Sequence, residues 1–457
     1  MNLRRVILAS ERQEGKVPPA FLVASALRQR GYRLRLFLVG TDPYQAALLQ
    51  RLCDQEVTFL DPWLSGGGKN VRALFQAAAD SGALNLVLAP LCQGRLEEGK
   101  IRLDAVTVEV TRHIGGALIP LLYADGSSMV TANLAEGVFK EIHRLELHEP
   151  PALLFASPPN LREYQLLEME VGRRMPALGL GFVPRYLERP LPGMEDLLDA
   201  ERWRPSIFPL RAAAAQLESL SGQVSWPFFA ALGSYFGAWE EAPFPVEPLP
   251  ARPVVTVLRP HDVDLAGNGW FLFLERLGCR TIVFPLTAGR IADKSDAVIL
   301  LPGQTQKILL ALASSGNLRE QLTQAFSGSL RLLAMGSSLP PLGSKVLFGG
   351  SSIRGLGLAA VVTDLDGGLG FAARLEAGSS EAPQAKGFFR DKEKIRGWLP
   401  EGIKVSPTED PSDAWQVADE SGKALALWGG ICRASAVMTP LVLDPWSQPG
   451  LFRRWLT

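Results

Sequence analysis

The sequence predicts an α/β protein with two domains, each a mostly parallel sheet with helices on both faces. Short apolar runs typical of buried strands alternate with helical segments as far as about Leu191, and the same alternation restarts at Val254. Between the two regions, five prolines occur within residues 243–253. Strands separated by helices indicate βαβ units, and proline at this density favours an extended linker over a packed element.

The first domain is predicted from the regular order of its elements. Strands are expected at 5–9, 32–39, 85–89 and 117–122, with helices at 18–30, 71–80 and 103–114. The first helix has Pro18 near its start, and Gly31 is placed to end it. Parallel neighbours need such crossover helices because their strands run in the same direction.

The second domain follows a region of different character. We place the boundary near residue 251, which gives domains at 1–195 and 253–457 and a helical and proline-rich region at 196–252, with an aromatic helix over 226–239. In the second domain, strands are expected at 254–258, 280–284, 297–301 and 330–335, and helices at 270–277 and 305–326. The tail from about residue 371 reads as less regular, because it is rich in Gly, Ser and Pro in places.

Composition excludes several classes of protein. The 457 residues include 47 basic and 47 acidic side chains, so there is no basic excess to hold a phosphate backbone and no nucleic-acid partner is expected. No apolar run approaches the ~20 residues that span a bilayer, and the N-terminus lacks a signal-peptide pattern, so we expect a cytoplasmic protein without a membrane span. Four scattered cysteines predict neither structural zinc nor a disulfide framework.

The loop after the first strand holds a candidate nucleotide site. Gly15 and Lys16 lie at the offset of a phosphate-binding loop, in which backbone amides close on phosphate and the lysine reaches the outer phosphates. Val17 stands where such a loop needs a hydroxyl for magnesium, and Glu11 and Glu14 add negative charge. The loop is therefore either a weak nucleotide site at Gly15 and Lys16 or an ordinary βα loop with a solvated lysine.

The turn after the strand at 330–335 is a second candidate. Ser337 lies at a strand-to-turn junction of the kind that exposes a nucleophile above a sheet. A serine nucleophile needs a base, and none of the four histidines lies beyond His261. The sequence therefore argues against a Ser–His–acid hydrolase.

Several strings, in this order along the chain, resemble the cobyrinic acid a,c-diamide synthase family. They are Gly15-Lys16, the segments 37–44, 60–64, 178–179 and 183–185, and Leu300-Leu301-Pro302-Gly303. That family joins an ATP-using, P-loop NTPase-like domain, related in fold to dethiobiotin synthetase, to a class I glutamine amidotransferase-like domain. The resemblance implies these two folds for the two predicted domains, the second being flavodoxin-like.

The chain departs from this family at its reactive positions. Gln13 replaces a glycine of the phosphate loop, Val17 replaces a threonine, and Ala89 stands at an acidic position that serves metal and nucleotide. Gly336 stands at the position of the glutaminase cysteine, and the segment 397–401 lacks both histidines of the family string. Without a thiolate and its histidine, glutamine cannot be hydrolysed through a thioester. Without the hydroxyl and acidic ligands, magnesium on a triphosphate has little to hold it.

The leading hypothesis is a catalytically inactive relative of these synthases that acts as a tetrapyrrole-binding or scaffold subunit in tetrapyrrole metabolism of the cobalamin type. No catalytic residue and no metal site are predicted. The resemblance implies substrate-binding roles for Asp42, Tyr44, Asp61, Trp63 and Arg185, since aromatic rings stack on a flat macrocycle and arginine pairs with its carboxylates. The expected partner is a tetrapyrrole or an intact paralogue, and the formation of a homodimer is a further alternative.

Two alternatives stay open. The first is an active ATP-dependent amidase of corrin or sirohydrochlorin carboxylates that uses free ammonia. It would require ATP and magnesium at Gly15 and Lys16, whereas the inactive relative needs no cofactor. The second is an interaction module unrelated to tetrapyrroles.

Overall fold

The computed structural model describes residues 2–220, 223–365, 370–378, 388–390, 392–408, 414–433 and 435–457. The chain divides into two compact units. Unit 1 comprises Met1–Thr41, Gln45–Pro62 and Val71–Pro243, and unit 2 comprises Asp42–Tyr44, Trp63–Asn70 and Phe244–Thr457. Two short segments from the N-terminal half therefore belong with unit 2, which the sequence pattern does not indicate.

Unit 1 is built on a seven-stranded parallel sheet. Its strands are β1 (Arg5–Ser10), β2 (Leu34–Val39), β3 (Val57–Leu60), β4 (Leu84–Pro90), β5 (Ala117–Tyr123), β6 (Ala152–Ala156) and β7 (Leu178–Val183). They lie in the order β3-β2-β4-β1-β5-β6-β7, and every neighbouring pair is parallel. Strands β1 and β5 are buried along their whole length. Burial of both faces explains why these strands read as continuous apolar runs.

Nine α-helices accompany this sheet in the described part of the chain. They are α1 (Pro19–Gln29), α2 (Pro43–Cys53), α3 (Gly68–Ala78), α4 (Ala105–Ile114), α5 (Ser128–Arg144), α6 (Leu161–Arg174), α7 (Met194–Leu198), α8 (Trp203–Ser219) and α9 (Trp226–Ala231). Local sequence sets their ends: the Asp104 side chain accepts the Thr107 N–H at the start of α4, and Gly115 ends that helix in the left-handed conformation.

The outer edge of β7 is covered by the segment that precedes α9. The Phe182 N–H donates to the Gln223 carbonyl and the Ser225 N–H donates to the Leu180 carbonyl, both at 2.8 Å. Gly181 has φ of +120°, and a Cβ at this position would overlap the Gln223 carbonyl. Only glycine fits this approach of two backbones, which protects the edge of the sheet from pairing with another chain.

In the described residues, unit 2 contains three sheets. Their strands are β8 (Val254–Arg259), β9 (Arg280–Pro285), β10 (Ala297–Leu300), β11 (Arg331–Met335), β12 (Gly343–Phe348), β13 (Ser351–Arg354), β14 (Ala359–Leu365), β15 (Phe371–Gly378), β16 (Lys394–Pro400), β17 (Ile403–Pro407), β18 (Gln416–Ala418), β19 (Ala424–Leu425), β20 (Ile431–Arg433), β21 (Ala436–Thr439) and β22 (Val442–Leu443). The main sheet has the order β20-β21-β11-β10-β8-β9 and is parallel except for β20. The smaller sheets are β13-β12-β14-β17 and β19-β18-β15-β16-β22.

Four α-helices complete unit 2 where the structure describes it: α10 (Gly269–Arg276), α11 (Thr305–Ser314), α12 (Gly316–Gln324) and α13 (Pro449–Leu456). Leu258, Leu300, Ile308 and Leu332 are buried together, so strands of the main sheet share one core with α11. Among the described residues, no helix is both long enough and apolar enough to cross a bilayer.

The α/β class predicted from the sequence is confirmed, while three elements differ from the prediction. The helix expected at 305–326 is two helices, because Ser315 adopts an extended backbone and its hydroxyl accepts the Leu318 N–H at the start of α12. The aromatic helix expected at 226–239 ends at Ala231. The tail from residue 371, expected to be less regular, carries strands β15 to β22, most of them antiparallel.

Candidate functional site

The carboxyl edge of the unit 1 sheet holds a buried carboxylate directly after β1. Glu11 is 2% exposed. Its two oxygens accept the N–H groups of Leu96, at 3.1 Å, and Tyr123, at 3.0 Å. Burial raises the pKa of Glu11, and the two backbone hydrogen bonds oppose that rise. The group thus fixes the loops after β1 and β4 to the end of β5, and it places an acidic group directly before the Gly15-Lys16 loop.

The backbone of the Gly15-Lys16 loop is bonded to the protein itself. The N–H of Glu11 donates to Leu121, that of Arg12 to Gly94, that of Lys16 to Gln13 and that of Val17 to Arg189, over 3.0 to 3.4 Å. The Gly15 carbonyl accepts the Leu191 N–H at 2.9 Å. A phosphate cradle needs amides directed at the ligand, and these four are already engaged by carbonyl groups.

Lys16 is likewise engaged. Its Nζ lies 2.5 Å from Oε2 of Glu188, and the Ser157 hydroxyl donates to the other carboxylate oxygen. Ser157 follows β6 and Glu188 follows β7, so three loops at the carboxyl edge of the sheet meet at this ion pair. The sequence allows a solvated lysine here, whereas in the structure Lys16 forms an ion pair with Glu188 and its side chain is 40% exposed. Nearby, Arg95 binds both oxygens of Asp125 at 2.6 and 2.8 Å.

The carboxyl edge of the main sheet in unit 2 places Gly336 directly after β11. Its φ is +60°, a conformation that side chains rarely adopt. A Cβ at Gly336 would lie 2.6 Å from Cγ2 of Val442, 3.3 Å from Cγ of Pro400 and 3.5 Å from Cβ of Pro302. The space that a nucleophilic side chain would need at this turn is therefore filled by apolar atoms from three other parts of unit 2.

The polar groups around Gly336 bond to one another. Ser337 is buried, and its Oγ accepts the Gly303 N–H at 2.9 Å. The Thr305 hydroxyl donates to the Ser337 carbonyl at 3.1 Å. His261 is also buried, and its Nε2 accepts the Gln304 N–H at 2.9 Å. Ser337 and His261 thus each accept a backbone N–H from the loop after β10, and a Cβ at Gly303 would overlap Pro260.

The cysteines are not activated as nucleophiles. All four are free thiols. Burial raises the pKa of Cys53 and Cys92 to about 12 and that of Cys279 and Cys432 to about 11. A thiol with such a pKa is protonated near neutral pH and is a poor nucleophile and metal ligand. Within the described ranges, no group of three or more His, Cys, Asp and Glu side chains is arranged to hold a metal ion.

The residues that the resemblance implied for substrate binding are divided between the two units. Asp42, Tyr44 and Trp63 belong to unit 2, whereas Asp61 and Arg185 belong to unit 1. Burial, together with the charge of Asp42, raises the pKa of Tyr44. Asp61 is buried, and Arg185 is exposed on a short 3-10 turn after β7.

Trp63 is held within unit 2 by an arginine. The Arg396 guanidinium lies 4.8 Å from the centre of the Trp63 ring, and its Nη1 donates to the Trp63 carbonyl at 2.8 Å. Ser65 donates to Asp444 at 3.1 Å, and Asn70 donates to the Trp446 carbonyl at 2.7 Å. One face of the Trp63 ring thus already carries a cation, a favourable stacking arrangement that a flat ligand on the same face would have to displace.

Sequence reasoning missed the partners of these groups. Glu188 for Lys16 and Val442 for Gly336 lie far along the chain from the residues they contact, and no motif marks them. Glu11 carried a usable signal, because a charged residue directly after a fully buried strand must find partners at the edge of the sheet.

Comparisons with known proteins concern the fold of parts of the chain. The sequence matches no protein-family model and no curated protein. A solved glutamine amidotransferase structure is 14% identical, with a TM-score of 0.33, over 44% of this chain and 96% of its own. A glutamine amidotransferase from Methylobacillus flagellatus is 10% identical, with a TM-score of 0.27, over 45% and 74%. Chloroplast FtsY from Physcomitrella patens is 10% identical, with a TM-score of 0.28, over 47% and 65%.

Proposed function

We propose that this chain is a non-catalytic relative of the cobyrinic acid a,c-diamide synthases that acts as a binding or scaffold subunit. The observation that carries the proposal is the filled turn at Gly336. A nucleophile at this turn would need a side chain where Val442 packs, and it would need a nearby amide to stabilise an oxyanion. The Gly303 amide instead donates to Ser337. The segment 397–401, where the family has its two histidines, contributes Pro400 to this packing.

Glutamine hydrolysis provides the direct test of this proposal. Incubation of the purified chain with glutamine should release no glutamate above a buffer blank, with an active glutamine amidotransferase as the positive control. Ser337→Ala is the matched variant, because it removes the hydroxyl nearest to the nucleophile position. Glutamate release by the wild-type chain that Ser337→Ala abolishes would overturn the proposal and would restore a serine mechanism.

Nucleotide binding distinguishes the proposal from the active amidase that uses free ammonia. The bonded loop amides, the ion pair between Lys16 and Glu188, and the buried charge of Glu11 all disfavour a triphosphate. We expect calorimetry with MgATP to give an affinity in the high micromolar range or weaker, unchanged by Lys16→Ala. Low-micromolar binding that Lys16→Ala weakens would support the amidase and an ATP site with magnesium at Gly15 and Lys16.

The proposed ligand is a tetrapyrrole or its peripheral carboxylates, and the proposed protein partner is an intact paralogue. Both come from the resemblance, through Asp42, Tyr44, Asp61, Trp63 and Arg185. Absorbance and tryptophan-quenching titrations with sirohydrochlorin, its metal complexes and cobyrinic acid provide the test. Binding tighter than about 100 μM, near −5.5 kcal/mol, supports the tetrapyrrole proposal. Weaker binding of every compound would favour a protein partner.

A further inference from the structure

An apolar groove in unit 2 lies between helix α11 and the C-terminal end of strand β13, at the opposite end of the β12–β13 hairpin from its turn. Its volume is about 600 Å³, and most of its lining is apolar. Leu309 and Leu310 line the helix side, whereas Ile353 and Leu356 line the hairpin side. Leu310 is 69% exposed and Ile353 is 42% exposed. Large apolar side chains facing each other across an open groove mark a binding surface more often than an ordinary surface.

The hairpin offers main-chain hydrogen bonds beside this groove. Gly349 and Gly350 have φ of +54° and +77°, as expected for a two-residue type I′ turn. Phe348 is paired with Ser351 across that turn, and hydrogen-bonded and non-hydrogen-bonded pairs then alternate along the hairpin. Ser352 and Arg354 therefore direct their N–H and C=O groups away from β12.

The outward side of β13 is an open edge in the part of the chain that the structure describes. Strand β13 is the terminal strand of the sheet β13-β12-β14-β17, and all four of its residues are exposed. A short exposed edge next to an apolar groove is the arrangement by which peptide-binding domains add an extended segment as a further strand.

Two cations lie at the groove. Arg319 and Arg354 both line it, both are exposed, and among the described residues neither guanidinium lies within ion-pair distance of a carboxylate. Planar guanidinium groups bind carboxylates through paired hydrogen bonds. The charge of the groove thus favours an occupant with acidic groups, and its open strand edge favours a peptide over a lipid.

We propose that this groove binds an extended segment of a partner protein that carries apolar side chains and at least one carboxylate. The segment pairs with Ser352 and Arg354 along β13, places alternate side chains against Leu310 and Ile353, and directs its carboxylate to the guanidinium groups of Arg319 and Arg354. This site is separate from the turns at Gly15 and Gly336, so it does not depend on the function proposed above.

Peptide selection tests the charge recognition. A random-peptide phage library is selected on the immobilised full chain, and enriched peptides are measured by fluorescence anisotropy. We expect alternating apolar residues with Asp, Glu or a free C-terminal carboxylate, and binding at least about tenfold weaker to Arg319→Glu/Arg354→Glu. Arg276→Glu/Arg280→Glu changes the same charge elsewhere in unit 2 and should leave affinity unchanged. No enrichment over the blank, or equal loss in both double variants, would overturn the proposal.

A proline substitution tests strand addition separately. Ser352→Pro removes an N–H that faces away from β12, so the hairpin keeps its own hydrogen bonds. We expect Ser352→Pro to weaken the selected peptides about tenfold or more, whereas Ser352→Ala retains wild-type affinity. Equal affinity of the two variants, with circular dichroism and thermal unfolding like the wild type, would refute strand addition. Binding of decanoate that is lost in Arg319→Glu/Arg354→Glu, without peptide binding, would show a fatty-carboxylate site instead.

Discussion

Replacing Gly336 with alanine measures how tightly the turn after β11 is filled. The φ of +60° costs an L-residue roughly 1–2 kcal/mol. The new Cβ would lie 2.6 Å from Val442 and 3.3 Å from Pro400, and overpacking of this kind costs roughly 1–3 kcal/mol. Gly336→Ala should therefore lower the free energy of unfolding by roughly 2–5 kcal/mol.

The matched control is Gly349→Ala in the β12–β13 turn. Gly349 has a similar φ of +54°, but a Cβ there meets nothing within 4 Å. Gly349→Ala should lower the free energy of unfolding only by the backbone contribution of roughly 1–2 kcal/mol. The difference between the two variants therefore measures the cost of packing the new Cβ. Urea unfolding followed by tryptophan fluorescence and circular dichroism provides both values.

A double-mutant cycle identifies the side chain responsible. If Val442 fills the space, Gly336→Ala should cost less in a Val442→Ala background, with a coupling energy of about 1 kcal/mol or more. The reasoning fails if Gly336→Ala costs the same as Gly349→Ala within about 0.5 kcal/mol, or if no coupling to Val442 is found. Either result would mean that the turn has room for a side chain.

Three further predictions concern unit 1. Burial raises the pKa of Glu11 above its ordinary 4.5, so the folded state binds more protons and the stability from this group falls as pH rises from 4.5 through the folded pKa. The difference in unfolding free energy between wild type and Glu11→Gln, measured by urea unfolding, should change over that window; a constant difference contradicts it. Lys16→Ala should lower the free energy of unfolding by at most about 1 kcal/mol in the same assay, because the lysine in its ion pair with Glu188 is half-exposed and such pairs are weak. A larger loss would mean that the pair anchors the loop. Gly181→Ala should cost more than about 4 kcal/mol because a Cβ there overlaps backbone, whereas Gly172→Ala, in open space, should not destabilise; similar costs would refute the overlap.

The strands that the sequence predicts well are those for which both faces of the sheet are buried. Strands β1, β10 and β11 are almost fully buried, so each contains a continuous apolar run that can be recognised in the sequence. Strand β15 mixes buried, half-exposed and exposed positions without a regular alternation, and β13 is wholly exposed. Their sequences lack the pattern of a buried strand, because neighbouring strands rather than a core determine where they lie.

For the candidate site, the sequence predicts which catalytic side chains are missing. A missing cysteine at Gly336 and the absence of histidines beyond His261 follow from the sequence alone. The residues that occupy the space of these missing side chains cannot be predicted from the sequence. Val442 lies in β22, which pairs with β16 in a different sheet from β11 and follows Gly336 by more than a hundred residues, so no local rule indicates that contact. Likewise, Lys16 could be predicted as a loop lysine, but its ion pair is made with a residue that follows the last strand of the sheet.

The two carboxyl edges share one physical property. Buried polar groups must be hydrogen-bonded, and in a ligand site some of those bonds are left for the ligand. Here, Lys16 is bonded to Glu188, the Gly303 amide to Ser337, and the Gln304 amide to His261. A ligand that bound to one of these groups would first have to break its present bond, at a cost of about 1 kcal/mol or more. The groove beside β13 has the opposite property, since its main-chain groups and its two arginines face outward. Among the described residues, neither arginine has an ion pair that binding would break, which makes that surface the better place to look for a partner.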